Sequence, residues 1–216
     1  QDFGSEATLF TLNMYDERGW VYFGGGRNLE EAKKPILLTH NGNRLAFMGC
    51  NPAGPDFAWA TDGSPGAAWC DYDYMIGEIT RLREEGYLPI VTFQHYESYH
   101  LDPVVEQVGD FRTMAEAGAL IVSGSQSHVP QYMEFYGDSF LHYGLGNLFF
   151  DQMFNDIAGT DTRKEFVDRH VFYDGKYIST ELLTYMLEDY ARPREMVDWE
   201  REQLLLNVFG EYGLLR

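Results

Sequence analysis

The chain has 216 residues, 44% of them hydrophobic and 16% aromatic, which is enough for one sizeable core and excludes a disordered polymer. Its 16 Lys and Arg stand against 34 Asp and Glu, a net charge of −18, and no basic run is long enough to track a phosphate backbone. Nucleic acid and anionic membrane surfaces are therefore not the partners this charge favours, and no run reaches the ~18 apolar residues of a membrane span.

The opening "QDFGSEATLF" enters a helical pattern with no strand before it and no signal-peptide n-region or h-region, as expected of a chain that starts mid-domain. Leu9, Leu12, Met14 and Tyr15 continue the helix to Gly19, after which "WVYF" reads as a short strand. "GGGR" at 24 to 27 lacks the lysine and hydroxyl of a phosphate-binding loop and reads as a turn. Asn28, with Glu31 three residues later, caps a short helix that ends before Pro35. "ILLTHNGNRLAFMGC" reads as two strands around an Asn-Gly turn, and a loop rich in Gly, Pro and Ala follows over residues 51 to 69. Cys50 and Cys70 show neither CxxC spacing nor a partner His pattern. A buried thiol and a loop thiol are expected rather than a zinc site, with a disulfide between them left open.

A helix over 73 to 85 places Met75, Ile76, Ile79 and Leu82 on one face. Strand "LPIVTF" comes next, then a helix carrying Val104, Val105, Val108, Phe111 and Met114, then strand "ALIVS" running into a turn that presents His128. Towards the end, "EFVDRHVFYDGKYISTELLTYML" reads as a hairpin around Asp174 and Gly175, and "DWEREQLLLNVF" as an amphipathic helix from Asp198. Alternating strand and helix signals point to an α/β layered fold. The simplest division is residues 1–160 as the main domain, with 161–216, a β-hairpin and C-terminal helix, completing or appended to it.

Three stretches at strand ends concentrate groups able to do chemistry. In "FQHYESYH" (93 to 100), Gln94, His95, Glu97 and His100 suit a divalent metal or general acid/base work, against the plainer reading of a solvated strand-to-loop transition. In "SGSQSHVP" (123 to 130), Gly124 permits close backbone approach and His128 is able to ligate, although a lone loop histidine is more often a hydrogen-bonding residue. In "HYGLGNLFFDQ" (142 to 152), Gly144 and Gly146 admit a ligand or another backbone segment, and Asn147 starts a further strand.

Taken in order, these segments resemble the capsule-synthesis CapA family, poly-γ-glutamate capsule proteins on a calcineurin-like metallophosphoesterase fold. "DFGSEATLFTLNMYDERGWVYFGGGRNLEEAKKPILL" resembles the family's stretch just after its Asn-His metal motif, with Asp2 at the acidic position that follows it. "RLREEGYLPIVTFQHYESY" resembles the segment that usually ends in His-Trp-Gly-x-Glu-Tyr. "AGALIVSGSQSHVPQYMEFYGDSFLHYGLGNLFFDQ" resembles the Gly-His-His-Pro-His strand end and the Tyr-Ser-Leu-Gly-Asn-Phe signature after it. The likeness covers residues 2 to 152, with a weaker match over the following hairpin.

The resemblance implies part of a sandwich of two mixed β-sheets flanked by helices, its first βαβ part missing, with a divalent metal (Mn, Fe, Zn or Mg) at strand ends and no tight binding by the fragment. It implies a pocket in which His128, His95 and Glu97 are catalytic, with His128 the metal ligand, and in which Gln94, Ser125, Gln126 and Asn147 bind substrate. It further implies a location at the cell surface or outside the cytoplasm, through a membrane anchor in the missing part. A surface polymer or small molecule would be the substrate and other capsule-assembly proteins the partners. Yet the histidine of His-Trp-Gly aligns most simply with Gln94, a shift of one residue bringing His95 there at the expense of Tyr99, and Ser125 and Gln126 stand where the family has two histidines. Amide and hydroxyl oxygens are weak ligands beside imidazole for zinc, iron or manganese. Two readings follow: a divergent metal-dependent hydrolase in a full-length parent, and a non-catalytic binding or assembly module with a degenerate metal site.

Overall fold

The structure is a computed structural model and describes residues 3–153 and 161–210. Asp2 and the expected boundary at residue 160 lie outside the described residues.

Helix α1 (Gly4–Glu17) is followed by residues 20 to 24, which pair with no strand. The β-branched and aromatic "WVYF" was expected as a strand, but such residues form one only beside a partner ladder. Here Phe23 lies on Phe47, ring centroids 5.7 Å apart, and Tyr22 donates to Glu31 at 2.5 Å. The glycines expected to make a turn form a two-residue strand instead, β1 (Gly25–Gly26). Helix α2 (Leu29–Lys33) begins as the sequence suggests, with the Asn28 side chain accepting from Glu31 N at 2.9 Å. The Asn-Gly hairpin joins β2 (Ile36–His40) to β3 (Asn43–Cys50). Within the loop after it, β4 (Gly66–Ala67) pairs antiparallel with β1.

Cys50, at the end of β3, and Cys70 form a disulfide with Cα atoms 5.0 Å apart, which corrects the free-thiol expectation. Their separation of 20 residues and the intervening loop gave no local signal for the pairing.

Helix α3 (Tyr72–Glu84) leads to β5 (Leu88–Ser98), helix α4 (Val105–Ala117), β6 (Ile121–Ser127), β7 (Met133–Tyr136) and β8 (Ser139–His142). These strands form a six-stranded mixed sheet in the order β2-β3-β5-β6-β8-β7, with β3, β5, β6 and β8 parallel. Helices α3 and α4 cover one face, where Ile79, Leu82, Phe111 and Met114 pack with Val91, Phe93 and Val122. Each such side chain contributes about 1.5–3 kcal/mol on burial.

Strands β9 (Lys164–Tyr173), β10 (Lys176–Glu188) and β11 (Arg192–Glu195) form a separate antiparallel sheet in the order β11-β10-β9, and α5 (Asp198–Phe209) follows. A second apolar cluster joins Met133 and Phe140 of the large sheet to Phe166, Met186 and Leu204. Two sheets with helices confirm the layered α/β expectation, although the smaller sheet is antiparallel throughout, not mixed. A buried polar bond crosses between the sheets: His142 Nδ1 and Asp168 Oδ2 are 2.6 Å apart. On the same strand as Asp168, Glu165 is 1% exposed, and among the described residues neither of its carboxyl oxygens has a hydrogen-bond partner. Burial pushes its carboxyl up to about 7.

Two outcomes follow from this architecture. Reducing the disulfide, or the pair Cys50→Ala and Cys70→Ala, removes about 3 kcal/mol of stability and lowers the melting temperature by on the order of 10 °C. The folded chain holds the Glu165 proton up to about 7, whereas the unfolded chain releases it near 4.5. Stability therefore falls as pH rises through that interval and levels off above it. Denaturant titrations across the interval should show that slope in the wild type and lose it in Glu165→Gln.

Candidate functional site

Parallel pairing of β3, β5 and β6 brings their carboxyl ends to one edge, with Cys50 opposite Phe93 and Phe93 opposite Gly124. Gly124 meets the need for close approach, since a Cβ there would sit 2.0 Å from Tyr143 O. Beyond this level β5 does not pass into a loop, as expected from its polar residues. It continues to Ser98, which pairs with Ser127 across a register shift that follows Gln94.

A cavity of about 670 Å³ opens at this edge. Gln94, His95, Glu97 and Gln126 line it, together with Asn51 and the glycines 24 to 26 and 66 of the β1 and β4 ladder. Side chains are sterically barred from part of this wall. A Cβ on Gly26 would lie 2.5 Å from Ala32 N, and one on Gly66 2.5 Å from Ala58 O. Gln126 has φ +81, a left-handed conformation that costs a non-glycine residue of order 1 kcal/mol or more. The amides of Gln94 and Gln126 face each other at 3.5 Å, at the limit of a hydrogen bond.

His95 borders the cavity by position, but its ring belongs to the helical layer. Strand alternation puts His95 on the same face as the core residue Phe93. There Nε2 meets Asp110 Oδ2 at 2.8 Å, and Tyr72 donates to the same oxygen at 2.7 Å. Burial, then the bond to Asp110, raises the Tyr72 hydroxyl above its ordinary range and keeps it a donor. Asp110 and Tyr72 were not identified from sequence; the i, i+2 parity from Phe93 was the available signal for the ring's direction.

His128 stands apart from the cavity wall, in a closed network. Its Nδ1 lies 3.0 Å from Asn147 Oδ1 and its Nε2 3.0 Å from Glu97 Oε1, while the ring stacks on Tyr99 at 4.7 Å and lies 5.0 Å from Phe150. Asn147 Nδ2 donates to Thr162 O at 3.1 Å, which sets the orientation of its amide. Asn147 does not begin a strand as expected; it is a buried link between His128 and the segment leading into β9. Ser125 donates to Phe93 O at 3.2 Å and does not join the cavity lining. The seven expected site residues thus divide between the cavity (Gln94, Glu97, Gln126), the network (His128, Asn147, and Glu97 again), the helical layer (His95) and the strand edge (Ser125).

The donor set suits a divalent metal poorly. Both nitrogens of His128 are directed at oxygen acceptors, and among the described residues no group of three or more His, Cys, Asp or Glu side chains is arranged to hold an ion. Asn51 is among the lining residues that sequence reading missed. It directly follows β3 just as Gln94 follows the core of β5, so its place in a parallel sheet was the signal.

The family described as bacterial capsule synthesis protein PGA_cap matches residues 1–152. The capsule biosynthesis protein CapA of Bacillus anthracis is 30% identical over 155 residues, which are 70% of this chain and 38% of that protein. The PGA biosynthesis protein CapA of Bacillus subtilis (strain 168) is 31% identical over 153 residues, 70% of this chain and 40% of that protein. The chain thus spans about two fifths of the length of these relatives. Among solved structures, the 5'-nucleotidase precursor from Thermus thermophilus overlays with a TM-score of 0.42 at 14% identity, covering 89% of this chain and 38% of that one. NAD nucleotidase of Haemophilus influenzae overlays with a TM-score of 0.39 at 8% identity, covering 82% and 36%.

If His128 is the hub of a structural network, His128→Ala and Asn147→Ala should each cost ~2 kcal/mol, and the double variant should cost clearly less than the sum, because both remove the same bond. Chemical denaturation of the four proteins measures this; strict additivity would refute the coupling.

Proposed function

This chain belongs to the bacterial capsule synthesis protein PGA_cap family, and we propose that it serves capsule or other surface-polymer metabolism by binding a segment of polymer in the cavity at the carboxyl ends of β3, β5 and β6. The observation that carries this reading is the composition of that edge. Neutral amides (Asn51, Gln94, Gln126) and one carboxylate (Glu97) line the cavity, while the imidazole of His128 is engaged by Asn147 and Glu97. Such a surface offers hydrogen bonds for recognition and few strong ligands for an ion.

The site of action is the cell surface or another compartment outside the cytoplasm. The Cys50–Cys70 disulfide supports this, because such bonds persist in oxidising environments and are rare in a reduced cytosol. Among the described residues no helix is long and apolar enough to cross a membrane. Other capsule-assembly proteins are the partners this role calls for.

A second reading, a metal-dependent hydrolase in a longer parent protein, is favoured by Glu97. Its Oε1 is taken by His128 and Tyr99, but Oε2 has no partner among the described residues, so a carboxylate oxygen stands ready to orient or deprotonate water. Mn, Fe, Zn or Mg in such a parent would need ligands beyond those described.

The two readings separate on metal dependence. Surface polymer extracted from the source cells should be retained by the immobilised chain equally well with and without a chelator, and Gln94→Ala should weaken retention about tenfold. Polymer cleavage by the longer protein that a chelator abolishes, together with tightly held stoichiometric metal, would replace binding with hydrolysis.

A further inference from the structure

Strand β2 closes the end of the large sheet opposite β7, and none of its residues lines the cavity. We infer that β2 is a docking strand, which takes an extended acidic segment of a partner protein as the next strand of the sheet.

The turn at Asn41 and Gly42 decides which backbone groups are free. With φ of +47 and +78 it is the two-residue turn that matches strand twist, and the residues flanking it, His40 and Asn43, face each other in the ladder. Such a flanking pair exchanges both of its hydrogen bonds. Ile36, Leu38 and His40 therefore direct N–H and C=O at β3, and Leu37 and Thr39 direct theirs outward. No strand among the described residues pairs with that outer side. The register with β3 is unbroken from Ile36 to His40, so no bulge turns the edge away. Leu37 and Leu38, on opposite faces, are 47% and 43% exposed. A strand added here gains a backbone ladder and an apolar contact on each face.

Charge decides what kind of strand fits. The chain has four lysines and a net charge of −18, yet three of the four, Lys33, Lys34 and Lys176, stand around this strand. Lys33 and Lys34 precede it, Arg44 is opposite Thr39 in the ladder, and Lys176 follows Gly175, whose N–H donates to Asn43 Oδ1 at 2.9 Å. Lys33 lies over the Tyr74 ring at 4.5 Å, and Arg44 lies over the Tyr87 ring at 4.0 Å while donating to the Glu85 carbonyl. Among the described residues none of these four cations is ion-paired, whereas Arg27, Arg112 and Arg194 each are. Asp174, in the turn before Lys176, offsets one of the charges and leaves cations at both ends of the strand.

A second copy of the chain is a poor occupant. Antiparallel pairing of two β2 strands would set Lys34 of one copy beside Arg44 and Lys176 of the other, and parallel pairing would set like on like. An acidic segment meets the reverse conditions. Carboxylates flanking an apolar centre reach cations at both ends while the centre covers Leu37 and Leu38. Lysines that commonly guard an edge thus oppose self-association here and admit a strand of opposite charge.

Fluorescence anisotropy with the full chain and a labelled peptide, Asp-Glu-Val-Thr-Val-Thr-Val-Glu-Asp, tests the inference. The peptide should bind with an affinity that falls as salt rises. N-methylation throughout its Val-Thr core, which removes the ladder donors and keeps the charge, should weaken binding at least about tenfold, and so should replacement of its acids by lysine. The exposed pair Lys34→Glu and Lys176→Glu should lose the acidic peptide to a similar degree, gain the lysine form and keep the wild-type melting temperature. Equal binding of the N-methylated form, or displacement of the peptide by γ-linked glutamate at matching charge, would reduce the edge to a general polyanion contact and overturn strand addition. Binding indifferent to the charge-reversed pair would overturn the site. Dimers in sedimentation that the peptide dissolves would make the occupant a second copy, and binding by this chain that is lost in a longer parent protein would make it a segment of that parent; either overturns a partner protein. No binding by the acidic peptide would overturn the inference as a whole and leave the polymer-binding cavity standing.

Discussion

The register between β3, β5 and β6 is the constraint on which the rest depends. Close packing of Gly124 against the Tyr143 carbonyl allows no side chain at that point, and the ladder then sets Cys50, Phe93 and Gly124 side by side. Asn51 and Gln94 follow immediately at the same edge, with Gln126 two positions beyond Gly124. A slip of one residue would exchange the two faces of β5, sending Gln94 into the helical layer and Phe93 into solvent. Burial of Phe93, stacked on Phe111 at 5.1 Å, opposes that slip with the energy of a large aromatic side chain. The cavity is thus a consequence of core packing: the apolar side chains choose the register, and the register places the amides.

Much of this was legible because its signals are local. The Asn28 cap, the Asn41 and Gly42 hairpin, the apolar face of α3 and the turn at Asp174 and Gly175 each act within a few residues, and each stands where the sequence puts it. What escaped was non-local. The polar run after Phe93 looks like a loop, yet it remains a strand because Ser98 finds Ser127 across a shifted register. Pairing of Gly25 and Gly26 with residues 66 and 67 reaches across α2, β2 and β3, and glycines have no side chain to announce a ladder. The resemblance to capsule-synthesis proteins pointed to the carboxyl ends of β5 and β6. It could not say which groups there face the cavity, since that depends on strand parity and on hydrogen-bond partners distant in sequence.

His128 illustrates the difference between occupying a ligand position and being free to ligate. An imidazole is a ligand when one nitrogen is held by an outer partner and the other is left bare. Here Asn147 holds one nitrogen and Glu97 faces the other, and Tyr99 and Phe150 close the ring faces. The same Glu97 oxygen also accepts from Tyr99 at 3.0 Å, and removing Asn147 or Glu97 would take a partner from a nitrogen of the buried His128 ring. Neutral residues at Gln94, Ser125 and Gln126 are consistent with this arrangement, because no cluster of charge remains there for an ion to balance.

A comparable polar device joins the two sheets, and its energetics explain why it is tolerable. The His142 and Asp168 side chains are 0% and 5% exposed, and burying such a pair recovers little net free energy unless hydrogen bonds complete it. Among the described residues His142 Nε2 and Asp168 Oδ1 have no hydrogen-bond partner, so the pair is incompletely satisfied there, as is Glu165 of the same strand. Apolar contacts of Phe140, Phe166 and Met186 must supply the adhesion between the sheets. The polar bond then selects one alignment among those the apolar surfaces permit, because only that alignment brings the Asp168 oxygen to the His142 nitrogen. That alignment also brings Glu165 opposite Gly146, where a Cβ would stand 2.4 Å from Lys164 O, and carries Thr162 to Asn147. Through Asn147 the docking of the smaller sheet reaches His128, so the residues bordering the cavity depend on both sheets being in register.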